Sequence, residues 1–387
     1  MKVLWLCSWY PNEKDPFDGD FIERQAKALS LFQHVHVIHI IQNINLLNND
    51  KLRVEEKQER NLQTKICFLP HTIIKIKLLQ KLIFNHNYNS LFKKVLPDYI
   101  LQNGKPDIVH VHVPVKAGVS ALWLKKKYNI PFVVTEHSSA YFESIPENYL
   151  SRNNYFKLIT KQTLQQAETV SSVSNWLLNR LNELFTIKKS KLIRNVVDNK
   201  LFYPVQITNT KKRFIHVSMM HPLKNVDGIL HALAQLNMQH TEWEISFIGP
   251  ASKENLKLSF DLGLSNQIVW KGALPYSEVA KEMQQADALV HFSKYENLPC
   301  VVNEALCCGL PVISSNVGGI SELVNESNGI LVENENIDQL AIAMSEFLQQ
   351  PDRFNKQLIS TSASAMFNYD FIGNEILQMY KDVLKRD

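Results

Sequence analysis

The stretch Tyr295–Val324, YENLPCVVNEALCCGLPVISSNVGGISELV, decides the fold. It reads as a loop, a helix, a buried strand, a Gly-Gly loop and a second helix. Pro299 suits a first helical turn, where its missing N–H costs nothing, and Asn297 just before it suits the cap. Gly309 stands where a C′ glycine would end a helix that runs to Cys308. PVISS, from Pro311, is a buried-strand run. Gly318-Gly319 then opens the next helix. Two helix N-termini beside neighbouring strand ends present free N–H groups and positive dipole ends, which together favour an anion.

Glu296 and Glu304 add chemistry to this frame. On one helix, eight positions at about 1.5 Å each separate them by roughly 12 Å and by about 80° around the axis. Carboxylates so placed are too far apart to share a proton, but they can bind hydroxyls at two ends of one long ligand. Backbone amides between them suit a phosphate or a sugar. A ligand with hydroxyls, a diphosphate and more hydroxyls is a nucleotide sugar. The plainer reading makes Glu296 a solvated loop residue and Glu304 a residue of a helix surface.

The stretch resembles the signature of the family-4 glycosyltransferases of the GT-B fold. That signature is Glu-x7-Glu, here Glu296 to Glu304, then a G-x-P-V-I strand (Gly309 to Ile313) and G-G-x-x-E (Gly318 to Glu322). The combined pattern is specific, whereas Glu-x7-Glu alone is not. More weakly, the resemblance extends over almost the whole chain. It implies an α/β protein of two doubly wound parallel-sheet, Rossmann-like domains facing each other across a cleft. An acceptor-binding domain would span residues 1–200 and a nucleotide-sugar domain 201–368. A last helix, 369–387, would cross back to the first domain.

The bulk numbers allow this. A chain of 387 residues accommodates two domains of ordinary size. The net charge of +4 is too mild to imply nucleic-acid binding. The five cysteines show no metal-ligand spacing, and their odd number argues against a disulfide framework, so a reducing cytoplasm fits. MKVLWLCSWYPNEKD carries too short an apolar run for a signal peptide, and no apolar run reaches the length of a membrane span.

In the first half, a strand at Val3–Trp9, a loop holding Gly19 and a helix from Phe21 open an α/β domain. One glycine does not make a dinucleotide fingerprint, which needs three. The resemblance implies a donor contact at Gly19, where the family often has Gly-Gly and this chain has Asp18-Gly19. Asp18-Gly19-Asp20 also spells D-x-D. Its position before a helix favours capping over a metal site. Residues 34–41 form a strand on which His34 and His36 share one face and His39 takes the other. The Asn-rich residues 43–62 read as a loop, and Thr64–Leu69 as a strand. Residues 71–100 interleave Lys75, Lys77, Lys81, Lys93 and Lys94 with Ile, Leu and Phe. This is either a helix packed on the sheet or a basic amphipathic surface that touches an anionic membrane or a lipid-linked acceptor. Strands at Asp107–Val113 and Phe132–His137 follow. Ligands of open α/β sheets bind at carboxyl strand ends. The family places a histidine at the matching end of the second strand, so the resemblance assigns His137 to the transferred sugar. His112 either lines the same site or is satisfied by the backbone.

The second half repeats strand and helix from Phe214 to Val332, the pattern of a second doubly wound sheet. Ser218-Met-Met-His-Pro-Leu-Lys224-Asn225 resembles the family's G-R-x-x-x-x-K-G, whose two basic side chains hold the diphosphate. Lys224 matches, Met219 replaces the arginine and Asn225 the closing glycine. A methionine has no guanidinium fork, so the clamp is weaker. Gly249 lets the backbone approach the donor.

The implied activity is retaining transfer of a sugar from a UDP- or GDP-sugar to a glycan or lipid-linked acceptor in cell-envelope polysaccharide assembly, without metal or other cofactor. His137, Glu296 and Lys224 would act in catalysis. Glu304, Gly19, Gly249, Asn297, Leu298, Pro299, Gly318 and Gly319 would bind the donor. The rival readings are a nucleotide-sugar 2-epimerase of the same fold and a catalytically weak nucleotide-sugar-binding protein. The protein would be cytoplasmic, with peripheral contact at the inner face of the membrane if residues 71–100 touch lipid.

Overall fold

The computed structural model describes residues 1–47, 52–71, 76–145, 147–206 and 211–385. The chain divides into two compact units, residues 1–196 with 369–387, and residues 197–368.

Unit 1 contains, in order, β1 (Lys2–Cys7), α1 (Asp20–Ser30), β2 (His34–Leu47), β3 (Arg53–Glu59), β4 (Leu62–His71) and α2 (Lys77–Asn103). It continues with β5 (Ile108–His112), α3 (Ala117–Tyr128), β6 (Phe132–Glu136), α4 (Asn154–Gln166), β7 (Val170–Ser172), α5 (Asn175–Leu184) and β8 (Ser190–Leu192). The sheet order is β3-β4-β2-β1-β5-β6-β7-β8. Every pairing is parallel except β3 with β4. β1, β5 and β6 are buried on both faces, as crossover helices require of parallel strands. Strand order reverses between β1 and β5, so their carboxyl ends form the crevice where such sheets take ligands.

Unit 2 contains β9 (Lys212–Val217), α6 (Val226–Asn237), β10 (Trp243–Ile248), α7 (Lys253–Asp261), β11 (Ile268–Gly272) and α8 (Tyr276–Gln284). Then come β12 (Ala288–His291), α9 (Cys300–Cys307), β13 (Val312–Ser315), β14 (Gly329–Val332), α10 (Ile337–Gln349) and α11 (Lys356–Phe367). Its six strands are parallel in the order β11-β10-β9-β12-β13-β14, with the reversal between β9 and β12. The last helix, α12 (Tyr369–Leu384), belongs to unit 1. It buries Ile372, Ile376, Met379 and Tyr380, and Gly373 lets it approach α1 closely: a Cβ there would lie 2.4 Å from the Ala28 carbonyl oxygen.

The expected loop over 43–62 is corrected. It contains the end of β2 and the whole of β3; residues 48–51 lie outside the described part. β3 is an antiparallel edge strand, RVEEKQE, with hardly a buried side chain, so no hydrophobic alternation betrays it. In the segment 71–100, α2 begins at Lys77; residues 72–75, Lys75 among them, and the side chain of Lys77 lie outside the described part. Tyr88, Leu91, Phe92, Val95, Leu96 and Tyr99 of α2 are buried at helical spacing, so its carboxyl two-thirds packs on the sheet. Ile76, Leu79, Lys81 and Leu82, at its start, are exposed. Among the described residues no helix is long and apolar enough to cross a membrane.

Candidate active site

In unit 2, both strands that flank the reversal send functional residues out of their carboxyl ends. β9 leads through Ser218 to Lys224, and β12 leads through His291 to Glu296. Lys224 donates from Nζ to Glu296 Oε1 at 2.5 Å, and His291 Nε2 lies 2.9 Å from the same oxygen. Glu296 is 8% exposed, so the solvated-loop reading fails. Burial alone would raise its carboxyl pKa. The Lys224 ammonium and the contacts from His291 and Lys224 outweigh burial and hold it well below the usual carboxylate range. Behind this trio His216, itself fully buried, reaches the Val290 carbonyl oxygen (2.9 Å) and Ser218 Oγ (2.8 Å). Burial keeps it neutral, with its pKa lowered to about 3.

The Gly-Gly loop closes over the same turn. Gly318 has φ +58, and a Cβ on it would stand 1.9 Å from the Glu296 carbonyl oxygen. Gly319 N–H donates to the Asn297 carbonyl at 2.8 Å. Three expectations are corrected here. Gly319's amide is committed to the protein rather than held open for an anion. The segment after it is a single 3₁₀ turn, Ile320–Glu322, not a helix, so its end has no developed dipole. The N-cap position is Pro299, without a side-chain bond, rather than Asn297, and α9 begins at Cys300. Glu296 therefore lies in the loop and only Glu304 on the helix, and the 12 Å helical spacing does not apply.

Glu304 is 6% exposed, not a helix-surface residue, and its Oε1 accepts the Tyr276 hydroxyl at 3.0 Å. Leu298 and Pro299, which follow Asn297 in the chain, are buried. Gly249 has φ +131 and a Cβ there would meet the Ser218 carbonyl at 1.8 Å; its N–H donates to the Gly272 carbonyl. It thus lets the loops after β9, β10 and β11 converge. Asn225 adopts φ +50, a left-handed conformation that asparagine tolerates better than most residues, which explains how it stands in for a glycine. Met219 is 64% exposed. Sequence reasoning missed Tyr276 and His291. Tyr276 stands 28 positions before Glu304 with no pattern linking them, and His291 merely ends a buried run.

In unit 1, His137 follows β6 directly. Its Nε2 lies 3.2 Å from His112 Nδ1, the two rings stack at 17°, and Phe21 packs on it at 4.8 Å. Burial lowers its pKa to about 3, so it is a neutral imidazole. His112 thus contacts His137 rather than backbone alone. His110 is anchored elsewhere, its Nδ1 2.6 Å from the Tyr380 hydroxyl, which also accepts from Trp5 Nε1 at 3.0 Å. Gly19 is the N-cap of α1 with φ +72, and a Cβ on it would sit 3.0 Å from the Trp9 backbone. The expected aspartate cap is absent: α1 has no side-chain cap bond, and Asp20 pairs with Arg24 at 2.6 Å instead. Among the described residues no group of three or more His, Cys, Asp and Glu is arranged to hold a metal.

Residues 52–201 match the family described as Glycosyltransferase Family 4, and residues 198–364 match Glycosyl transferases group 1. The chain belongs to the family-4, group 1 glycosyltransferases. The glycosyltransferase is 24% identical over 305 residues to N-acetyl-alpha-D-glucosaminyl L-malate synthase of Bacillus anthracis, covering 74% of this chain and 78% of that one. Its fold is that of the sucrose-phosphate synthase of Thermosynechococcus elongatus, with a TM-score of 0.79, 20% identity and 100% of both chains covered. It is also that of Anabaena HepE, solved with UDP, with a TM-score of 0.74, 18% identity, and 99% and 100% covered. The molecule is a GT-B transferase.

Proposed function

We propose that the enzyme moves a sugar from a UDP- or GDP-sugar to a hydroxyl of a glycan or lipid-linked acceptor in cell-envelope polysaccharide synthesis, with retention of configuration and without metal. The observation that carries the proposal is the Lys224–Glu296–His291 cluster, set at the strand-order reversal of unit 2 with the Gly318-Gly319 loop closed on it. Lys224 keeps further donors for a diphosphate while one bonds Glu296. As the sugar–phosphate bond breaks, negative charge grows on the leaving diphosphate, and a preorganised ammonium there lowers the barrier. Glu296 would take sugar hydroxyls. Glu304, buried and steadied by Tyr276, would take those of the ribose. His137 would offer a neutral ring nitrogen to the transferred sugar.

Support for a nucleotide-sugar donor comes from HepE, a protein of this fold that was solved with UDP and with UDP-glucose. The deciding experiment is calorimetric titration of UDP, GDP and their glucose and mannose conjugates, with and without Mg²⁺. Tight binding of one nucleotide family, equal in EDTA, is the expected result. In Glu304→Ala it should weaken tenfold or more, about 1.4 kcal/mol. Unchanged affinity in that variant removes Glu304 from the site. Met219, exposed where the family carries arginine, favours a second reading, a weak nucleotide-sugar-binding protein. Donor binding without turnover on any acceptor would support it.

A further inference from the structure

The carboxyl end of β6 carries a second ionisable residue that the proposed chemistry does not use. Glu136 is 1% exposed. Its Oε1 accepts the N–H of His137 at 2.8 Å and that of Ser138 at 2.7 Å, while Oε2 accepts the Tyr141 hydroxyl at 2.5 Å. Each oxygen thus holds part of the five residues that leave the strand. The far end of that turn is tied as well: Arg180 Nε donates to the Tyr141 carbonyl at 3.0 Å, and Tyr149 N–H to that of Ala140 at 2.5 Å. His137, sitting inside this clamp, presents its ring to His112 and Phe21.

We propose that Glu136 is a positioning residue: its carboxylate fastens the turn 137–141 and thereby fixes the ring of His137 at the end of β6. A carboxylate suits the task because its two oxygens accept in several directions at once and donate in none. A glutamine can keep its oxygen on the two amides and donate to the Tyr141 hydroxyl, which also accepts; only the loss of both oxygens leaves buried donors unpaired, which costs more than a bond is worth. The residue also borders a pocket of about 230 Å³ lined by Ser8, Trp9, Lys116 and Arg152, so solvent and small solutes reach its surroundings. Lys116 and Arg152, the latter bonded to Glu147 at 2.7 Å, are the charged groups of that pocket. His137 and Tyr141 are the titratable groups in the turn itself. Burial pushes the Glu136 carboxyl up to about 7, against the opposing Tyr141 hydroxyl and the two amides. Protonation removes the negative charge that strengthens these three bonds, so the clamp loosens as pH falls through that value.

The proposal rests on His137 facing the transferred sugar, and the test separates the two. Amide exchange at His137 and Ser138, read by NMR, reports the clamp directly. Hydrolysis of UDP-glucose in the absence of acceptor reports its effect on chemistry. Glu136→Leu, which removes both oxygens, should speed exchange at these two amides at least tenfold, with β5 and β6 still protected. It should lower kcat at least tenfold at unchanged donor KM, and should lack the acid limb expected of the wild type near pH 7. Tyr141→Phe removes only the third bond; the freer carboxylate should speed exchange at the two amides and lower kcat more weakly, and this variant covers the case in which the leucine variant fails to fold. Unchanged exchange at His137 and Ser138 in Glu136→Leu overturns the proposal. Faster exchange with unchanged hydrolysis, together with an active His137→Ala, upholds the clamp and removes His137 from the chemistry.

Discussion

At Gly318 the absent side chain matters as much as any present one. An added methyl would overlap the Glu296 carbonyl oxygen at 1.9 Å, and the φ of +58 is unfavourable for L-residues. Gly318→Ala should therefore displace the loop that carries Glu296 and Asn297. The expected cost is about 1–3 kcal/mol of stability, with most donor affinity lost; denaturant titration and calorimetry check both. Buried histidines make a second prediction. His39, His110, His112, His137 and His216 all have pKa values pushed down by burial, His39 to about 4 and His137 and His216 to about 3. Below their ordinary value of about 6.5 the unfolded chain binds protons that the folded chain refuses. Stability is then lost as pH falls from about 6.5 toward 4, by about 1.4 kcal/mol per histidine per pH unit at most. Melting temperature should drop steeply over that window, and a flat profile from pH 7 to 5 would falsify the assignment. Much of the candidate site was legible in the sequence, because Lys224, Glu296 and Gly318 lie within short motifs. Tyr276 was not read, and Glu136, though placed at the carboxyl end of its strand, had no role assigned: one acts through a partner that only the folded chain brings near, the other through its own backbone geometry.

Elements were legible wherever burial imposes a pattern. The core strands of both sheets read directly as apolar runs bounded by glycine, proline and polar loops. β3 escaped because an edge strand with solvent on both faces has no reason to alternate. The 3₁₀ turn after Gly319 read as a helix because glycines and a following Glu resemble a helix start, while its brevity depends on the chain turning toward β14. α2 shows both of the faces that its sequence offered. Its carboxyl part is core, whereas Ile76, Leu79 and Leu82 at its start lie exposed near Lys81. Such a combination suits the headgroup region of an anionic bilayer. At low salt the protein should sediment with vesicles rich in phosphatidylglycerol, and Leu79→Glu with Leu82→Glu should release it without altering the melting temperature. A wild-type protein that stays in the supernatant sinks this idea.

At the scale of the molecule, two largely parallel sheets each reverse strand order once, and candidate residues of each unit follow the strands at or next to its reversal. Unit 2 is continuous from 197 to 368, whereas unit 1 needs α12 from beyond it. Residues 197–368 expressed alone should fold with a single cooperative transition, followed by circular dichroism on heating. A chain ending at residue 368 should leave Trp5 and His110 without the Tyr380 hydroxyl and α1 without its neighbour. Its unit 1 should then precipitate or expose apolar surface to a fluorescent dye, while a soluble, cooperative truncation would contradict this. The same arrangement governs how the enzyme is born. On the ribosome the first unit to be translated is the last that can be finished. The nascent amino-terminal sheet waits, open along α1, through the synthesis of some 170 further residues. Until α12 leaves the exit tunnel, that face is the place where a chaperone would hold the growing chain.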